Sequence, residues 1–189
     1  VGPILKNGWG AGPRATPTVD GDTVFAMSGT GTLLAAKTAD GKESWKAAMR
    51  DFGGKTPNLG YCESVLVDAG KVICTPGGGQ GTLLALDKST GKKVWQSDGW
   101  TDGAHYSSPI VATHNGTRQF IQLTSQHVAG VNAKDDKVLW KSEWPGKTAV
   151  IPTPIFKDGH VYITSGYGVG CKLVKIGPDK TASEVYMNQ

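Results

Sequence analysis

Short hydrophobic runs follow one another along the whole chain, divided by turns rich in Gly and Asp. In the first group, the alternating run 24–27 lies between turns at 20–22 and 29–31, and the run 33–35 and then Trp45 follow. Runs of branched and aromatic residues, separated by turns at intervals of about 8 to 12 residues, are typical of β-strands. The pattern therefore predicts four short antiparallel strands in one unit.

The same order of strands and turns recurs with a period of about 45 to 50 residues. Trp45, Trp95 and Trp140 are 50 and 45 residues apart, and Tyr186 takes the same place 46 residues further on. A second marker recurs at intervals of 47, 45 and 45 residues, in the pairs Thr16-Pro17, Glu63-Ser64, Ser108-Pro109 and Thr153-Pro154. Two independent markers share one period. The sequence therefore predicts four copies, over residues 14–50, 61–98, 106–142 and 151–187.

Tandem four-stranded units of this length are typical of a β-propeller, in which each unit is a blade and radial stacking leaves only short, protected edges. A large ring near the end of the outer strand can pack between neighbouring blades. We therefore expect Trp45, Trp95 and Trp140 to be buried structural residues. A β-sandwich of about eight to ten strands is the alternative, but it does not require one motif to recur four times. The prediction is an all-β chain in which residues 1–189 form one propeller region.

Composition supports many tight turns and argues against two other classes of protein. Glycine makes up 27 of 189 residues, about twice the usual share. No run of ten uninterrupted apolar residues occurs, so no transmembrane segment is predicted. The basic excess, 20 Lys and Arg against 16 Asp and Glu, is dispersed, which is typical of a solvated surface and not of a nucleic-acid partner. The chain begins at Val1 without a signal-peptide pattern, so we expect a trimmed product or a piece of something longer.

The three cysteines match no zinc spacing and cannot all pair with one another. In a hairpin around the turn 68–71, residue 65 lies opposite Cys74, which leaves Cys62 about three positions out of register, so no disulfide is expected. Cys62, Cys74 and Cys171 are predicted to be small buried hydrophobic residues. We expect no metal site.

One stretch of the second copy resembles a known repeat motif. Residues 85–95 read A-L-D-K-S-T-G-K-K-V-W and match A-x-D-x-x-T-G-x-x-x-W, the tryptophan-docking motif of quinoprotein-like β-propellers, at every fixed position. These positions are Ala85, Asp87, Thr90, Gly91 and Trp95. The first copy departs from the motif but keeps Trp45, the third keeps only Trp140, and the fourth has Tyr186 in place of Trp.

Several loop segments are similar, more narrowly, to secreted quinoprotein-like repeat proteins of planctomycete-type bacteria. Such proteins are often labelled as pyrroloquinoline-quinone-binding-like or polyvinyl-alcohol-dehydrogenase-like. The segments are 12–17, 60–64, 75–78, 106–109 and 165–168. Members of that family generally have seven or eight blades, so the resemblance implies that about four blades of a larger propeller are present here. A closed four-bladed ring is the alternative. The resemblance also implies a periplasmic or secreted location.

In a propeller, the connections between blades and the turns between second and third strands emerge on one face, around the mouth of the channel. Polar and aromatic residues there converge by geometry alone and form the default candidate for a binding site. They are Arg14, Tyr61, Glu63, His105, Tyr106, His127 and Tyr167. The alternative is that these residues only line a wet channel mouth. His105 beside Asp102 could act as a base with its orienting carboxylate, but their three-residue spacing fixes no geometry, and we assign no catalytic residue.

The resemblance implies that enzymes of this family stack pyrroloquinoline quinone on a Trp beside a disulfide of adjacent cysteines, with a calcium ion that polarises the quinone. This chain has no Cys-Cys pair and no Asp-rich cluster that could supply about six to eight oxygen ligands to calcium. Its remaining tryptophans, Trp9, Trp100 and Trp144, lie between the predicted blades. We therefore expect no cofactor in this chain.

Two hypotheses for function follow from these observations. The first is a non-catalytic, extracytoplasmic binding scaffold that engages protein or polysaccharide partners in the cell envelope. The second is a fragment of a pyrroloquinoline-quinone-dependent, alcohol-dehydrogenase-like oxidoreductase, with quinone and calcium bound by residues of blades outside this chain.

Overall fold

The computed structural model describes residues 3–8 and 10–189, and Trp9 lies outside them. A small hairpin pairs β1 (Lys6–Asn7) with β2 (Gly10–Ala11). Four antiparallel sheets of four strands follow in chain order, and we number these sheets blade 1 to blade 4. The first strand of blade 2 contacts the first strands of blades 1 and 3, so the first strands lie on the side of the propeller axis. The chain is an all-β propeller structure, as the sequence predicts.

The strands of each blade are consecutive in the chain. Blade 1 contains β3 (Thr18–Asp20), β4 (Thr23–Met27), β5 (Thr32–Lys37) and β6 (Glu43–Ala48), followed by a 3₁₀ helix (Met49–Phe52). Blade 2 contains β7 (Leu66–Asp68), β8 (Lys71–Cys74), β9 (Leu84–Asp87) and β10 (Lys93–Gln96). Blade 3 contains β11 (Ile110–His114), β12 (Thr117–Leu123), β13 (His127–Asn132) and β14 (Val138–Glu143). Blade 4 contains β15 (Ile155–Lys157), β16 (His160–Ser165), β17 (Gly170–Ile176) and β18 (Ala182–Asn188).

The first two strands of blade 3 are joined by a two-residue turn. Asn115 and Gly116 have φ values of 46° and 73°, and His114 pairs with Thr117 across them. Two successive residues with positive φ are the requirement of the type I′ turn, whose twist matches that of the strands, and Asn-Gly is the preferred sequence for it. The turn chemistry of the sequence therefore sets the register of this blade.

Every blade carries one row of directly opposed residues, one from each strand, that ends on the outer aromatic residue. The rows are Thr18-Phe25-Ala35-Trp45, Leu66-Ile73-Ala85-Trp95, Ile110-Ile121-Gly130-Trp140 and Ile155-Tyr162-Leu173-Tyr186. We call each of them a docking row, because opposed residues point to the same face of a sheet. The third and fourth strands shift register beside the row in all four blades. The blades thus repeat one register and one bulge as well as one sequence pattern.

The hydrophobic core is divided into three clusters, each between two consecutive blades. In blade 2, Leu84 and Leu86 belong to the cluster shared with blade 1, whereas Leu83 and Ala85 belong to the cluster shared with blade 3. Alternate residues of a strand face opposite sides of the sheet, so β9 and the residue before it are buried on both sides. None of these clusters, over residues 3–8 and 10–189, joins blade 4 to blade 1.

Hydroxyl groups link the starts of the first strands. The Thr16 backbone N–H donates to Ser64 Oγ at 3.0 Å, and the Ser64 N–H donates to Ser108 Oγ at 2.9 Å. This ladder explains the second marker in the sequence. It also corrects its alignment by one residue, because Thr18 and Leu66 are equivalent in their docking rows and Ser64, not Glu63, therefore corresponds to Thr16.

All three cysteines are free thiols. The pairing of Leu66 with Ile73 puts residue 65 opposite Cys74, as predicted. Cys74 is buried, but Cys62 and Cys171 are half-buried, so the expectation of three buried cysteines holds for one of them.

Candidate functional site

The structure buries three of the seven predicted site residues, Tyr61, Glu63 and Tyr106. Tyr61 is 1% exposed, and its ring lies so close to Gly31 that a Cβ there would be 2.5 Å from Tyr61 Cε2. The phenol donates a hydrogen bond to the Pro76 carbonyl at 3.1 Å. Burial and the nearby Glu63 raise the pKa of Tyr61. Tyr61 therefore packs blade 2 against blade 1 and offers no surface to a ligand.

Glu63 is buried in a polar network between blades 2 and 3. Its Oε1 accepts the Thr75 backbone N–H at 2.6 Å. Gln122 Nε2 donates to Thr75 Oγ1 at 2.6 Å, and also lies 3.1 Å from the Ser107 carbonyl and 3.4 Å from Glu63 Oε2. Burial raises the pKa of Glu63 from 4.5 to about 7, although the hydrogen bonds from Thr75 act in the opposite direction. Glu63 thus joins two blades and is not accessible from the channel mouth.

Asp102 pairs with His127 across the junction of blades 2 and 3. His127 Nδ1 lies 2.9 Å from Asp102 Oδ2, and Thr124 Oγ1 donates to the same oxygen at 2.6 Å. A carboxylate only accepts hydrogen bonds, so Nδ1 of His127 carries the proton of this hydrogen bond. The backbone around Asp102 is held by the Gly78 N–H, which donates to the Asp102 carbonyl at 2.9 Å.

The expected pair of His105 and Asp102 does not form. His105 Nδ1 instead accepts the Val150 backbone N–H at 3.0 Å, and burial lowers the pKa of His105. Sequence reasoning missed the partner of Asp102 because His127 is 25 residues away and reaches it only through blade stacking.

His127 also borders a groove of about 590 Å³ between blades 3 and 4. Lys172, which is 6% exposed, donates to the Glu143 carbonyl at 3.0 Å and pairs with Glu184 Oε2 at 2.9 Å. Trp144 lies in the same groove, and its indole N–H has no hydrogen-bond partner within the described residues. The charged groups of this groove are thus largely satisfied by one another.

A second groove, of about 420 Å³, lies where three inter-blade connections meet. We call it the connection groove, and its lining residues are Asn58, Leu59, Tyr106, Thr148, Ala149, Ile151 and Tyr167. It brings together two predicted site residues, Tyr106 and Tyr167. Ile151 and Tyr167 are 57% and 62% exposed. Leu59, Ala149 and Ile151 were missed by sequence reasoning, since apolar residues in a connection carry no motif.

The connection groove has a rigid side and an exposed side. Tyr106 is 5% exposed, its hydroxyl accepts the Leu59 N–H at 3.3 Å, and its ring centroid is 4.4 Å from that of His105. Tyr167 has a φ of 62°, which is uncommon for a bulky side chain, so a tight turn presents it to solvent. Arg14 lies nearby, where its guanidinium donates to the Leu59 carbonyl and to Asn7 Oδ1.

The resemblance to the docking motif describes a contact that the structure makes between neighbouring blades. Trp45 of blade 1 is 8% exposed, and its Nε1 donates to the Lys88 carbonyl of blade 2 at 2.9 Å. A Cβ on Gly91 would lie 2.6 Å from Trp45 Cε3. The turn itself is closed by Asp87, whose Oδ1 accepts the N–H and hydroxyl of Thr90, both at 2.8 Å. These bonds lower the pKa of Asp87.

The other two tryptophans are buried in the same row but make different bonds. Trp95 packs on Phe120 of blade 3 at a centroid distance of 6.0 Å, and its Nε1 has no partner within the described residues. Trp140 Nε1 donates to Gln119 of its own blade at 2.6 Å. Of the three tryptophans, Trp45 donates a hydrogen bond to the next blade, and that next blade, blade 2, carries the complete motif.

The described residues do not fit the pyrroloquinoline quinone group that the resemblance implies for enzymes of the family. Cys62, Cys74 and Cys171 are separate free thiols. Trp100 and Trp144 are 1% and 2% exposed inside the inter-blade clusters, so neither offers a free ring face. Over residues 3–8 and 10–189, no group of three or more His, Cys, Asp or Glu could hold a metal ion. We derive no chemistry through that cofactor.

Comparison with known protein families identifies the family to which the repeat belongs. The sequence model of a family of pyrroloquinoline-quinone-like repeats, described as outer membrane protein assembly factor BamB, matches residues 4–185. The chain belongs to this family. No curated protein sequence matches the chain significantly. The finer likeness to planctomycete-type members stays a prediction.

Solved structures share the fold. BamB from Moraxella catarrhalis superposes with a TM-score of 0.60 and 16% identity, over 92% of this chain and 49% of that one. Quinohemoprotein alcohol dehydrogenase from Comamonas testosteroni gives 0.65 and 18%, over 94% and 35%. The computationally designed Ika4 protein gives 0.56 and 14%, over 87% and 93%. This chain therefore spans about half of the BamB structure and about a third of the dehydrogenase.

No helix among the described residues is both long and apolar enough to cross a membrane.

Proposed function

We propose that this chain is a non-catalytic binding module of the bacterial cell envelope, which docks a protein partner in the connection groove. The observation that carries the proposal is the character of that groove. It is apolar, with two exposed large side chains, Ile151 and Tyr167, beside the fixed ring of Tyr106. Aromatic and aliphatic anchors around a pre-formed pocket are typical of protein-binding hot spots.

The buried acidic side chains and the histidine that could act in catalysis support the same proposal, because they are already hydrogen-bonded to neighbouring blades. Glu63 links blades 2 and 3 through Thr75 and Gln122. Asp102 holds His127 and Thr124. What remains at the junction of the connections is a surface for recognition.

The envelope location rests on the family description, which is that of an outer membrane protein assembly factor. A protein partner fits the groove better than a polysaccharide does, because the groove offers one exposed aromatic ring, that of Tyr167. The ring of Tyr106, its other aromatic residue, is buried. Sugar rings are bound mainly through exposed aromatic faces and many polar groups, whereas the polar groups of this lining are the side chains of Asn58 and Thr148 and the two Tyr hydroxyls.

The experiment compares capture of proteins from a bacterial envelope extract by three forms of the chain, with quantitative mass spectrometry as the readout. The groove variant combines Ile151→Ser with Tyr167→Asn, because Asn tolerates the left-handed backbone of position 167. The control is Val94→Ser, which changes an exposed apolar residue of β10 outside the groove. We expect at least one protein to be retained by the unmodified chain and the control and lost by the groove variant.

Equal capture by all three forms contradicts the proposal, as does groove-dependent retention of a polysaccharide in place of a protein. The dehydrogenase hypothesis assigns the quinone and calcium ligands to blades outside this chain, so it is tested on a full-length parent protein that contains them. Micromolar binding of pyrroloquinoline quinone in the presence of Ca²⁺, together with alcohol-dependent dye reduction, would replace the binding function by an enzymatic one.

A further inference from the structure

The exposed charges beside the connection groove all have the same sign. Four segments contribute lining residues to the groove, and a fifth reaches it through Arg14. These segments, all within the described part of the chain, are 53–65, 99–109, 145–154, 165–169 and 12–17. Their Lys and Arg residues are Arg14, Lys55 and Lys147, and each of them is exposed. The groove is therefore apolar at its centre and basic around it.

The acidic residues of the same segments do not balance these charges at the surface. They are Glu63 and Asp102, which are 2% and 6% exposed. Both carboxyl groups accept the hydrogen bonds that join blades 2 and 3. The surface of the five segments thus carries positive charge without a counter-charge.

The acidic residues that flank these segments lie elsewhere. Asp51 Oδ1 is 3.8 Å from Arg50 Nε in the 3₁₀ helix. The backbone of Asp98 pairs with that of Lys137, beside the turn between β13 and β14. Glu143 lines the other groove, between blades 3 and 4. None of these three acidic side chains is among the lining residues of the connection groove.

Arg14 is held at the groove by neutral hydrogen-bond acceptors. Its guanidinium donates to the carbonyl oxygens of Leu59 and Gly10 and to Asn7 Oδ1. Leu59 itself lines the groove. Because these acceptors are uncharged, the positive charge of Arg14 stays available to a partner.

Lys147 lies on backbone that is fixed on both sides of it. The Gly146 N–H donates to the Ser125 carbonyl at 2.9 Å, and the Val150 N–H donates to His105 Nδ1 at 3.0 Å. The following residue in the chain lines the groove. The ammonium group of Lys147 is therefore carried next to the groove by a pre-formed connection.

Lys55 is placed in a similar way in the connection between blades 1 and 2. The Gly54 N–H donates to the Met49 carbonyl at 3.0 Å, and the Leu59 N–H donates to the Tyr106 hydroxyl at 3.3 Å. Neither of the two lysines forms an ion pair with another described residue. A fixed backbone reduces the entropy that these charges lose when a partner binds.

Cations that surround an apolar groove without counter-charges attract a partner of opposite charge. We propose that the protein segment docked in the connection groove is acidic, with an apolar side chain in the groove and carboxylates beside it that meet Arg14, Lys55 and Lys147. The apolar anchor supplies affinity, and the charges select among apolar segments. This inference rests on the proposed function, because it names the chemistry of the partner at the same groove.

The first test selects random peptides displayed on phage against the unmodified chain and against the groove variant, Ile151→Ser with Tyr167→Asn. We expect the peptides enriched on the unmodified chain alone to contain an apolar residue flanked by Asp or Glu. Groove-dependent peptides without acidic enrichment overturn the inference but support the proposed function. A selection that yields no groove-dependent peptide contradicts both.

The second test measures the affinity of one selected peptide by fluorescence anisotropy. The charge variant combines Lys55→Gln with Lys147→Gln, and Arg14 is kept because it also holds Leu59. This variant should bind the peptide about three- to tenfold more weakly, as the loss of two exposed ion pairs does. A copy of the peptide with Asn and Gln in place of Asp and Glu should bind the unmodified chain and the charge variant equally.

The matched control combines Lys92→Gln with Lys134→Gln. It removes the same charge from exposed turns between the third and fourth strands of blades 2 and 3, at the opposite end of the blades. The control should bind the peptide like the unmodified chain, and circular dichroism checks that all variants fold. Equal losses in the two lysine variants would assign the effect to net charge and overturn the inference.

Salt provides an independent readout of the same contact. Raising the salt concentration from about 0.1 M to about 1 M shortens the screening length from about 10 Å to about 3 Å. Binding of the acidic peptide should weaken more for the unmodified chain and the control than for the charge variant. An affinity that does not change with salt contradicts a role for the three cations.

Discussion

Gly91 and Gly70 of blade 2 share a left-handed backbone but differ in their surroundings. Their φ values are 69° and 80°, yet a Cβ would meet the Trp45 ring at 2.6 Å on Gly91 and nothing within 4 Å on Gly70. The conformational cost of a side chain is thus common to both positions, whereas the contact with the docking ring is specific to Gly91. Substitutions at Gly91 and Gly70 therefore distinguish the effect of turn conformation on stability from the effect of the Trp45 contact.

For Gly91→Ala we expect a loss of about 3 kcal/mol in the free energy of unfolding, against about 1 kcal/mol for Gly70→Ala. The common part is the left-handed conformation of a non-glycine residue, and the rest is displacement of Trp45 from the turn. Urea denaturation of both variants measures the difference. Equal losses would mean that the Trp45 contact contributes nothing to stability.

The buried carboxyl group of Glu63 makes the free energy of unfolding depend on pH. The unfolded chain loses the Glu63 proton near pH 4.5, but the folded chain keeps it until about pH 7, because burial raises the pKa. Between these values the unfolded state has released a proton that the folded state still binds. The free energy of unfolding therefore falls as pH rises through this window, by up to roughly 3 kcal/mol.

Glu63→Gln removes this titration, so the stability of the unmodified chain relative to that of the variant should fall as pH rises from 4.5 and level off above about pH 7. Denaturation at a series of pH values measures it. Glu43→Gln, which removes a half-exposed carboxylate in β6, is the control and should keep the slope of the unmodified chain. A slope that persists in Glu63→Gln would assign the titration to another group.

At the scale of the strand, burial depends on whether a blade has neighbours on both sides. Leu84, Ala85 and Leu86 of β9 are all 0% exposed, because blades 1 and 3 cover the two faces. In β17, the third strand of blade 4, Val174 is buried whereas Leu173 is partly exposed. The same element is therefore covered on two faces in blade 2 and on one face in blade 4.

We expect backbone amides of β9 and β13 to exchange with deuterium at least about tenfold more slowly than those of β17, since local opening of a strand covered on one face disrupts fewer contacts. Uniform exchange over the third strands of all four blades would show that the chain opens as a single cooperative unit.

At the scale of the whole molecule, blade stacking decides which residues reach a surface. Tyr61 and Glu63 occupy connections that the sequence places at the channel mouth, but the structure buries both between blades. Tyr106 and Tyr167, in later connections, meet in the connection groove. Position in the repeat thus predicts the end of the blade at which a residue lies, and stacking decides whether its side chain points inward.

Local signals along the chain are sufficient to define the elements and their order. Alternating runs, Asn115-Gly116 and the recurring Trp45, Trp95 and Trp140 are local signals, since strand alternation, turn conformation and repeat spacing act over a few residues or a fixed period. They predict four-stranded blades, their number in this chain, and a docking role for the tryptophans.

The pairing of side chains that lie far apart in sequence depends on tertiary contacts. His127 and not His105 binds Asp102, Gln122 reaches the buried Glu63, and Trp45 reaches Lys88 while the Trp95 indole finds no partner among the described residues. These contacts cross from one blade to the next. Their geometry depends on how the blades stack, which the local pattern of a single blade does not contain.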